Sequence, residues 1–334
     1  MSELRQNLAT KEWVIIATER AQRPADFDDP RRPHTHARPS RVETCPFCPG
    51  NEHMSAPAVL EVLQDGRWQV RIVPNKYPAL ADHGGVERRS DGTARWMSGF
   101  GVHEILIESP EHNTTAALQE DSQVARALRA LRQRQQQLER DPRLMMTLCF
   151  KNHGSAAGTS LEHPHCQMIS VPVVPHHIRQ RLADALAYHD ERGTCVYCDM
   201  WRQELDAGLR VVAEGELFVA FLPYAALSPF HIWILPRRHA PIFTQISEPE
   251  TEDLARVLRQ VLARLYYGLH DPDFNFVIRS APTHEEHSRS FHWYLSIVPK
   301  VTKIAGFELG SGMFINTALP EESARFLREV KLAG

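Results

Sequence analysis

Apolar positions along the chain fall into short strand-like runs, interrupted twice by long stretches at helical spacing. The runs are Trp68–Val73, Val102–Glu108, Met145–Phe150 and Cys166–Val174, each short enough and apolar enough for a half-buried or buried strand. Between the middle two, from about Asp121 to Arg140, Val124, Leu128, Leu131 and Leu138 recur near helical spacing. The plan then repeats. Strand-like runs return at Leu217–Leu222, His231–Leu235, Phe274–Arg279 and Trp293–Val298. A helix opened by SEPETED lies between the middle two and runs through Leu254, Val257, Leu258, Val261, Leu262 and Leu265. Residues 22–44, rich in Pro, Arg and Asp, carry no period and read as an ordered arm or loop.

Motifs repeat along with elements. TCPFC (44–48) is echoed by TCVYC (194–198), and HPHCQMISVP (163–172) by HWYLSIVP (292–299). GVHEILIESPEH ends in His112 as PFHIWILPRRH ends in His239. His163 follows His112 by 51 residues and His292 follows His239 by 53. Two motif pairs at nearly equal separation argue for an internal duplication. The expected class is α+β, with mainly antiparallel sheets because regular βαβ alternation is missing. The expected halves are residues 1–175 and 176–334.

Composition narrows the field. At 334 residues, 43% hydrophobic and 24% charged, with a formal net charge of −3, the chain reads as an ordinary soluble protein. That balance gives no electrostatic case for nucleic acid or an anionic membrane. The N-terminus has no apolar core of a secretory signal, and no apolar run reaches the roughly 18 residues of a membrane span. A cytoplasmic setting is expected, and there two Cys-x-x-Cys pairs point to metal or redox chemistry, not to a disulfide framework.

Zinc prefers tetrahedral nitrogen and sulfur ligands, and a closed Cys2His2 shell makes a structural clamp. The duplication pairs Cys45 and Cys48 with His112 and His163, and Cys195 and Cys198 with His239 and His292, for two zinc ions per chain. A redox pair lacks the thioredoxin-like βαβ context, while reduced cysteines without metal remain an alternative. His231, His284 and His287 have no such positional support.

The sharpest signal is KNHGSAAGTSLEHPHCQM, residues 151–168. In an extended segment, alternate side chains share a face, so His163, His165 and Gln167 line up. The loop before them offers Gly154, Ser155, Gly158 and Ser160, which can approach phosphate oxygens closely. A neutral imidazole is a competent nucleophile near neutrality, and attack on an α-phosphorus gives a phosphoimidazole that a second phosphate discharges. His165 is then the nucleophile, and Gln167 a donor to a non-bridging oxygen. If His163 ligates zinc, the metal fixes the strand that carries the nucleophile. The competing reading is a His-rich strand binding one metal through both imidazoles.

From RAQRP to FELGSGMFIN, and above all at HPHCQ, the sequence resembles the galactose-1-phosphate uridylyltransferase family, a branch of the histidine-triad superfamily. The resemblance implies two histidine-triad-like halves, a homodimer, no organic cofactor, and double displacement between a nucleotide sugar and a sugar-1-phosphate. In the family's reaction UDP-glucose and galactose-1-phosphate give glucose-1-phosphate and UDP-galactose. It also implies that Ser160, Asn152 and Asn75 contact the nucleotide, and that Arg20 and Arg23 lie near the site, supplied across a dimer interface. Glu308 and Phe307 fall where the family binds sugar with a Tyr-Glu pair. The second CxxC, KNHGSAAG and GFELGSGMFIN resemble a plant relative that acts as an ADP-glucose phosphorylase, moving AMP with phosphate as acceptor. Two further alternatives are a zinc-stabilised nucleotide-binding protein without turnover and a small histidine-triad hydrolase. The hydrolases have histidine where this chain has Gln167.

Overall fold

The computed structural model describes residues 2–17, 27 and 34–332. Arg20, Arg23 and residues 22–26 and 28–33 of the arm at 22–44 lie outside them. Strands β1 (Glu3–Gln6) and β2 (Trp13–Ile16) form an N-terminal hairpin. The first half continues with β3 (Leu60–Gln64), β4 (Arg67–Pro74), the exposed hairpin β5 (Arg88–Asp91) and β6 (Ala94–Met97), and β7 (Val102–Ile107). Helix α1 (Asp121–Leu138) then leads to β8 (Met146–His153) and β9 (His165–Val171). Helices α2 (His176–Arg192) and α3 (Val196–Ala207) open the second half. It proceeds through β10 (Val211–Glu214), β11 (Phe218–Phe221), β12 (Ile232–Pro236), α4 (Glu248–Gly268), β13 (Phe274–Arg279) and β14 (Tyr294–Pro299). Helix α5 (Gly306–Ser311), β15 (Phe314–Asn316) and α6 (Pro320–Glu329) close the chain.

Among the described residues ten strands make one sheet in the order β10-β11-β12-β14-β13-β8-β9-β7-β4-β3, and every neighbouring pair in it is antiparallel. The order is a palindrome of the duplication. The two halves meet where β8 pairs β13, with Asn152 opposite Asn275. Helices α1 and α4 lie together on one face, burying Val124, Leu128 and Leu131 with Leu254, Leu258 and Val261 in one core. A capping box starts α4, in which Ser247 and Glu250 satisfy each other's backbone N–H groups.

Three features depart from the pattern read in the sequence. The edge strands β3 and β10 are only five and four residues long, too short to show a period. The N-terminal hairpin pairs with the far end of the chain, β2 running parallel to β15. Strand β8 runs on through Lys151 to His153, past the apolar run, because Lys151 is buried at 1% exposure against Glu108. Among the described residues no helix is long and apolar enough to cross a membrane.

Candidate active site

The face of the sheet away from α1 and α4 carries the site. Strand alternation puts Cys166 and Met168 into the helix-side core, and His165 and Gln167 on the open face. Phe150 pairs Gln167, so Asn152, two residues on, comes beside His165. Ile107 and Ile105 on β7 flank the other side.

His165 is 6% exposed, and its Nδ1–H donates to the His163 carbonyl at 2.8 Å. That bond fixes the tautomer and leaves the Nε2 lone pair free. Burial, reinforced by the nearby Lys151 charge, holds its pKa below the ordinary 6.5, against the opposing pull of the His163 carbonyl and Glu108. The ring is therefore neutral at physiological pH. Phe47 packs edge-on against it, centroids 5.5 Å apart. On the helix side lies a buried ion pair, Lys151 Nζ to Glu108 Oε1 at 2.6 Å, joined by the Cys166 thiol at 2.8 Å. Burial alone would raise the Glu108 carboxyl; Lys151 and Cys166 outweigh it and hold it below the usual carboxylate range.

Two cavities meet at His165. One, about 770 Å³, has Phe47, Val73, Ile105 and Tyr77 beside Asn75, Gln167 and Ser160. The other, about 440 Å³, is polar and lies against the Gly154–Ser160 loop, Asn152 and Arg38. Together they have the size and the split character that a nucleoside joined to a phosphorylated sugar requires. The loop is shaped by Asp273, whose carboxylate accepts from Ala156 N at 2.6 Å. A Cβ on Gly154 would stand 2.0 Å from Asp273 Oδ1, and φ there is +82°, so this position excludes a side chain.

Cys45, Cys48, His112 and His163 bring four ligand atoms within 4.8 Å of one another, and so do Cys195, Cys198, His239 and His292. Each set can hold a metal ion. Both histidines of each set turn Nδ1 toward a cysteine sulfur. The opposite nitrogens of His163 and His239 donate to the carbonyls of Ser109 and Ser288 at 2.8 and 3.0 Å, the outer bonds that orient a metal-binding imidazole. Burial pushes the His163 pKa down to about 4 and the Cys45 thiol up to about 11. Neutral imidazoles are ready as ligands, and the buried thiolates need a cation to form. In the second set burial lowers His292, while Cys198 hydrogen bonding raises His239 and Cys195 hydrogen bonding lowers Cys198. Asn51 orders the first cysteine turn by donating to the carbonyls of Val42, Glu43 and Cys45. The second pair sits differently, with Cys195 capping α3 and Cys198 in its first turn.

The structure thus gathers His165, Gln167, Asn75, Asn152 and Ser160 around one point. Glu308 and Phe307 are not at that point. Glu308 caps its own helix through Ala305 N at 3.0 Å and lines a third cavity, which Asn152 also borders. Phe307 is 47% exposed. The reading of the sequence missed Asn275, whose Nδ2 donates to Asn152 Oδ1, and His103, whose Nε2 lies 2.8 Å from Gln167 Oε1 and 3.0 Å from Asn75 Nδ2. In GVHEILIE His103 is one of two polar residues in the strand, beside Glu104, and only the register over β9 reveals its neighbour.

Fold and site together define a nucleotidyltransferase. Residues 1–175 match the N-terminal domain of galactose-1-phosphate uridyl transferase and residues 182–331 its C-terminal domain. The chain belongs to this family. It is 35% identical to an ADP-glucose phosphorylase of Arabidopsis thaliana, over 99% of this chain and 93% of that protein. It is 30% identical to a galactose-1-phosphate uridylyltransferase of Thermotoga maritima, over 99% of both. The solved structure of an ADP-glucose phosphorylase from Arabidopsis thaliana with bound ADP-glucose superposes with a TM-score of 0.83, at 31% identity over 100% of each chain. A uridylyltransferase structure gives 0.76 at 25% identity, over 99% of this chain and 98% of that one.

Proposed function

We propose that His165 Nε2 takes the nucleotidyl group from a nucleoside diphosphate sugar and passes it to a second phosphate. The observation that carries this is the Nδ1–H bond to the His163 carbonyl, which leaves Nε2 with its lone pair at the meeting of the two cavities. Nε2 attacks the α-phosphorus, a P–N bond forms, the P–O bond to the sugar phosphate breaks, and the sugar phosphate leaves. Nδ1 keeps its proton throughout, so the positive charge on the ring meets a carbonyl oxygen. An acceptor phosphate oxygen then attacks the same phosphorus and the P–N bond breaks. Gln167 and Asn152 donate to the non-bridging oxygens, and Ser160 contacts the phosphates. The apolar cavity, with Asn75, takes the nucleoside.

Between the two donors, ADP-glucose with phosphate as acceptor is supported by the 35% identity to the phosphorylase and by the second Cys2His2 set. UDP-glucose with galactose-1-phosphate is supported by the Thermotoga maritima relative and by Glu308 beside the cavity that Asn152 borders, where a sugar hydroxyl could meet it. Zinc suits both metal sets by ligand softness and number. His163 would tie the first ion to the nucleophile's strand as a scaffold. A homodimer in which Arg20 and Arg23 reach the partner's site, a division at residues 175 and 176, and a cytoplasmic setting that keeps the thiols reduced belong to the same reading.

Intact-protein mass spectrometry after brief incubation with ADP-glucose or UDP-glucose tests it. An AMP adduct discharged by phosphate supports the phosphorylase, and a UMP adduct discharged by galactose-1-phosphate the uridylyltransferase. Zinc-loaded protein that takes neither label would sink the covalent role of His165.

A further inference from the structure

An amide such as Gln167 or Asn152 can offer a phosphate either its NH2 or its oxygen, and only the first stabilises an anion. Nothing in the side chain itself decides which end faces the ligand. The surrounding bonds do decide it here. Ala79 N–H donates to His103 Nδ1 at 3.1 Å, and a backbone N–H can only donate. His103 Nδ1 is therefore bare, and in the neutral ring the proton sits on Nε2. That proton has Gln167 Oε1 as its acceptor at 2.8 Å. Asn75 Nδ2, 3.0 Å from the same nitrogen, cannot take it, because the Asn75 oxygen already accepts from Tyr77 N. The oxygen of Gln167 is thus tied back, and its NH2 has no protein acceptor among the described residues.

The same logic runs on the other side of the nucleophile with opposite polarity at its root. The Ala157 carbonyl can only accept, and Asn275 Nδ2 lies 2.9 Å from it. That end of Asn275 is its NH2, and the second hydrogen goes to Asn152 Oδ1 at 2.8 Å. Asn152 is left with its own NH2 turned outward. Asn275 belongs to β13, so the second half of the chain supplies this fixing group across the central strand pair.

We propose that His103 and Asn275 are positioning residues that lock Gln167 and Asn152 with both amide NH2 groups toward the phosphate at His165. A backbone N–H sets one orientation and a backbone carbonyl the other. The proposal rests on the reading of His165 as the nucleotidyl carrier. It goes beyond that reading in assigning work to two residues that do not touch the phosphate, and in explaining why both donors are already aligned before a ligand arrives, which is how a site avoids reorganising during reaction.

Single-turnover adduct formation in the full-length, metal-loaded enzyme tests it, at saturating nucleotide sugar. His103→Ala is expected to slow the step roughly tenfold to a hundredfold, and Asn275→Leu by about tenfold. His103→Gln, whose terminal N–H reaches toward Gln167, should recover most of the rate. The deciding comparison is a pair of double-mutant cycles. His103→Ala should cost nothing further in a Gln167→Ala background, nor Asn275→Leu in Asn152→Ala. Additive losses would mean simple packing roles and overturn the proposal. Nitrogen NMR of the His103 ring gives an activity-independent check, with a bare Nδ1 and a protonated Nε2 expected and the reverse tautomer refuting it. Wild-type enzyme that forms no adduct would defeat the reading of His165 alone, and the ring spectrum would still decide this one.

Discussion

The two halves share a strand plan, a Cys2His2 set and even a histidine on the strand before the metal-ligand loop, yet one half is open over its sheet and the other is filled. In the motif pair, His163 answers to His292, His165 to Tyr294 and Gln167 to Ser296. His231 Nε2 lies 2.9 Å from Ser296 Oγ, the counterpart of His103 over Gln167. The aromatic residue inside each CxxC also repeats its contact, Phe47 with His165 and Tyr197 with Tyr294, centroids 5.5 and 5.4 Å apart. What differs is the space beyond. Trp233 stacks 4.4 Å from Tyr294, and Phe291 and Phe221 close around them. Arg181 donates to the Tyr294 hydroxyl at 2.8 Å. Beneath the sheet the contrast is reversed in polarity. Strand register sets Lys151 and Cys166 against Ile278 and Leu295, so an ion pair underlies the open half and hydrocarbon the filled one. The lesson is that the scaffold and the Cys2His2 set come with the fold, while the proposed chemistry depends on two side chains and on what is left unfilled above them.

The largest expected effect separates the two equivalent positions. His165→Ala should lower transfer by at least about a thousandfold with metal content unchanged. Tyr294→Phe should cost about 1 kcal/mol of stability through the lost Arg181 bond and leave transfer within about twofold. Adduct formation and metal analysis read both, and a large rate loss in Tyr294→Phe would break the division of labour.

Next come the metal sets. Cys48→Ser should release one metal per chain and slow transfer about a hundredfold, because His163 lies two residues from the nucleophile. Cys198→Ser should release the other, lower the unfolding temperature and leave transfer within roughly threefold. Equal losses of rate from the two variants would show that the second set also serves the reaction.

The buried pair sharpens the comparison through stability. Lys151→Met strands Glu108, 5% exposed, without its cation and should cost about 3–5 kcal/mol in urea unfolding. The double variant with Glu108→Leu copies the apolar composition of the filled half and should recover most of that loss. A double variant as unstable as the single one would mean that the pair holds the strands in a way hydrocarbon cannot.

Much of this was legible because period and spacing carry it. The alternation at His163, His165 and Gln167 needs only an extended strand, and the two Cys2His2 sets follow from a duplication visible in three motif pairs. The central pairs β7–β9 and β13–β14 come from runs whose residues are apolar enough to name themselves. What stayed hidden depends on register across strands. His103 and Asn275 are ordinary polar residues until β7 lies beside β9 and β13 beside β8. Lys151 falls just past the strand-like run that ends at Phe150, because a lysine is rarely buried and its partner Glu108 stands 43 residues away. The union of both halves into one sheet is likewise a pairing of distant strands that no local pattern announces. Glu308 was legible as a residue type, but that its Oε2 accepts from Ala305 N at the start of α5 was not.

The smallest effect is a matter of pH. In the proposed transfer His165 attacks only when neutral, and burial first, with Lys151 adding to it, holds its pKa in the folded chain below the ordinary 6.5. As pH falls, the fraction of neutral ring, and so the adduct rate, should decline with a midpoint below 6.5. The sign follows directly: a depressed pKa moves the acid limb of the profile down, whereas a solvent-exposed imidazole would have lost half its rate at about 6.5. Removing Lys151 and Glu108 together takes away one charge that lowers the pKa and one that raises it, so the limb should move little. A limb at or above 6.5 in the wild type would mean that water reaches His165 more freely than its 6% exposure allows, and the contrast with the sealed second half would then be one of degree.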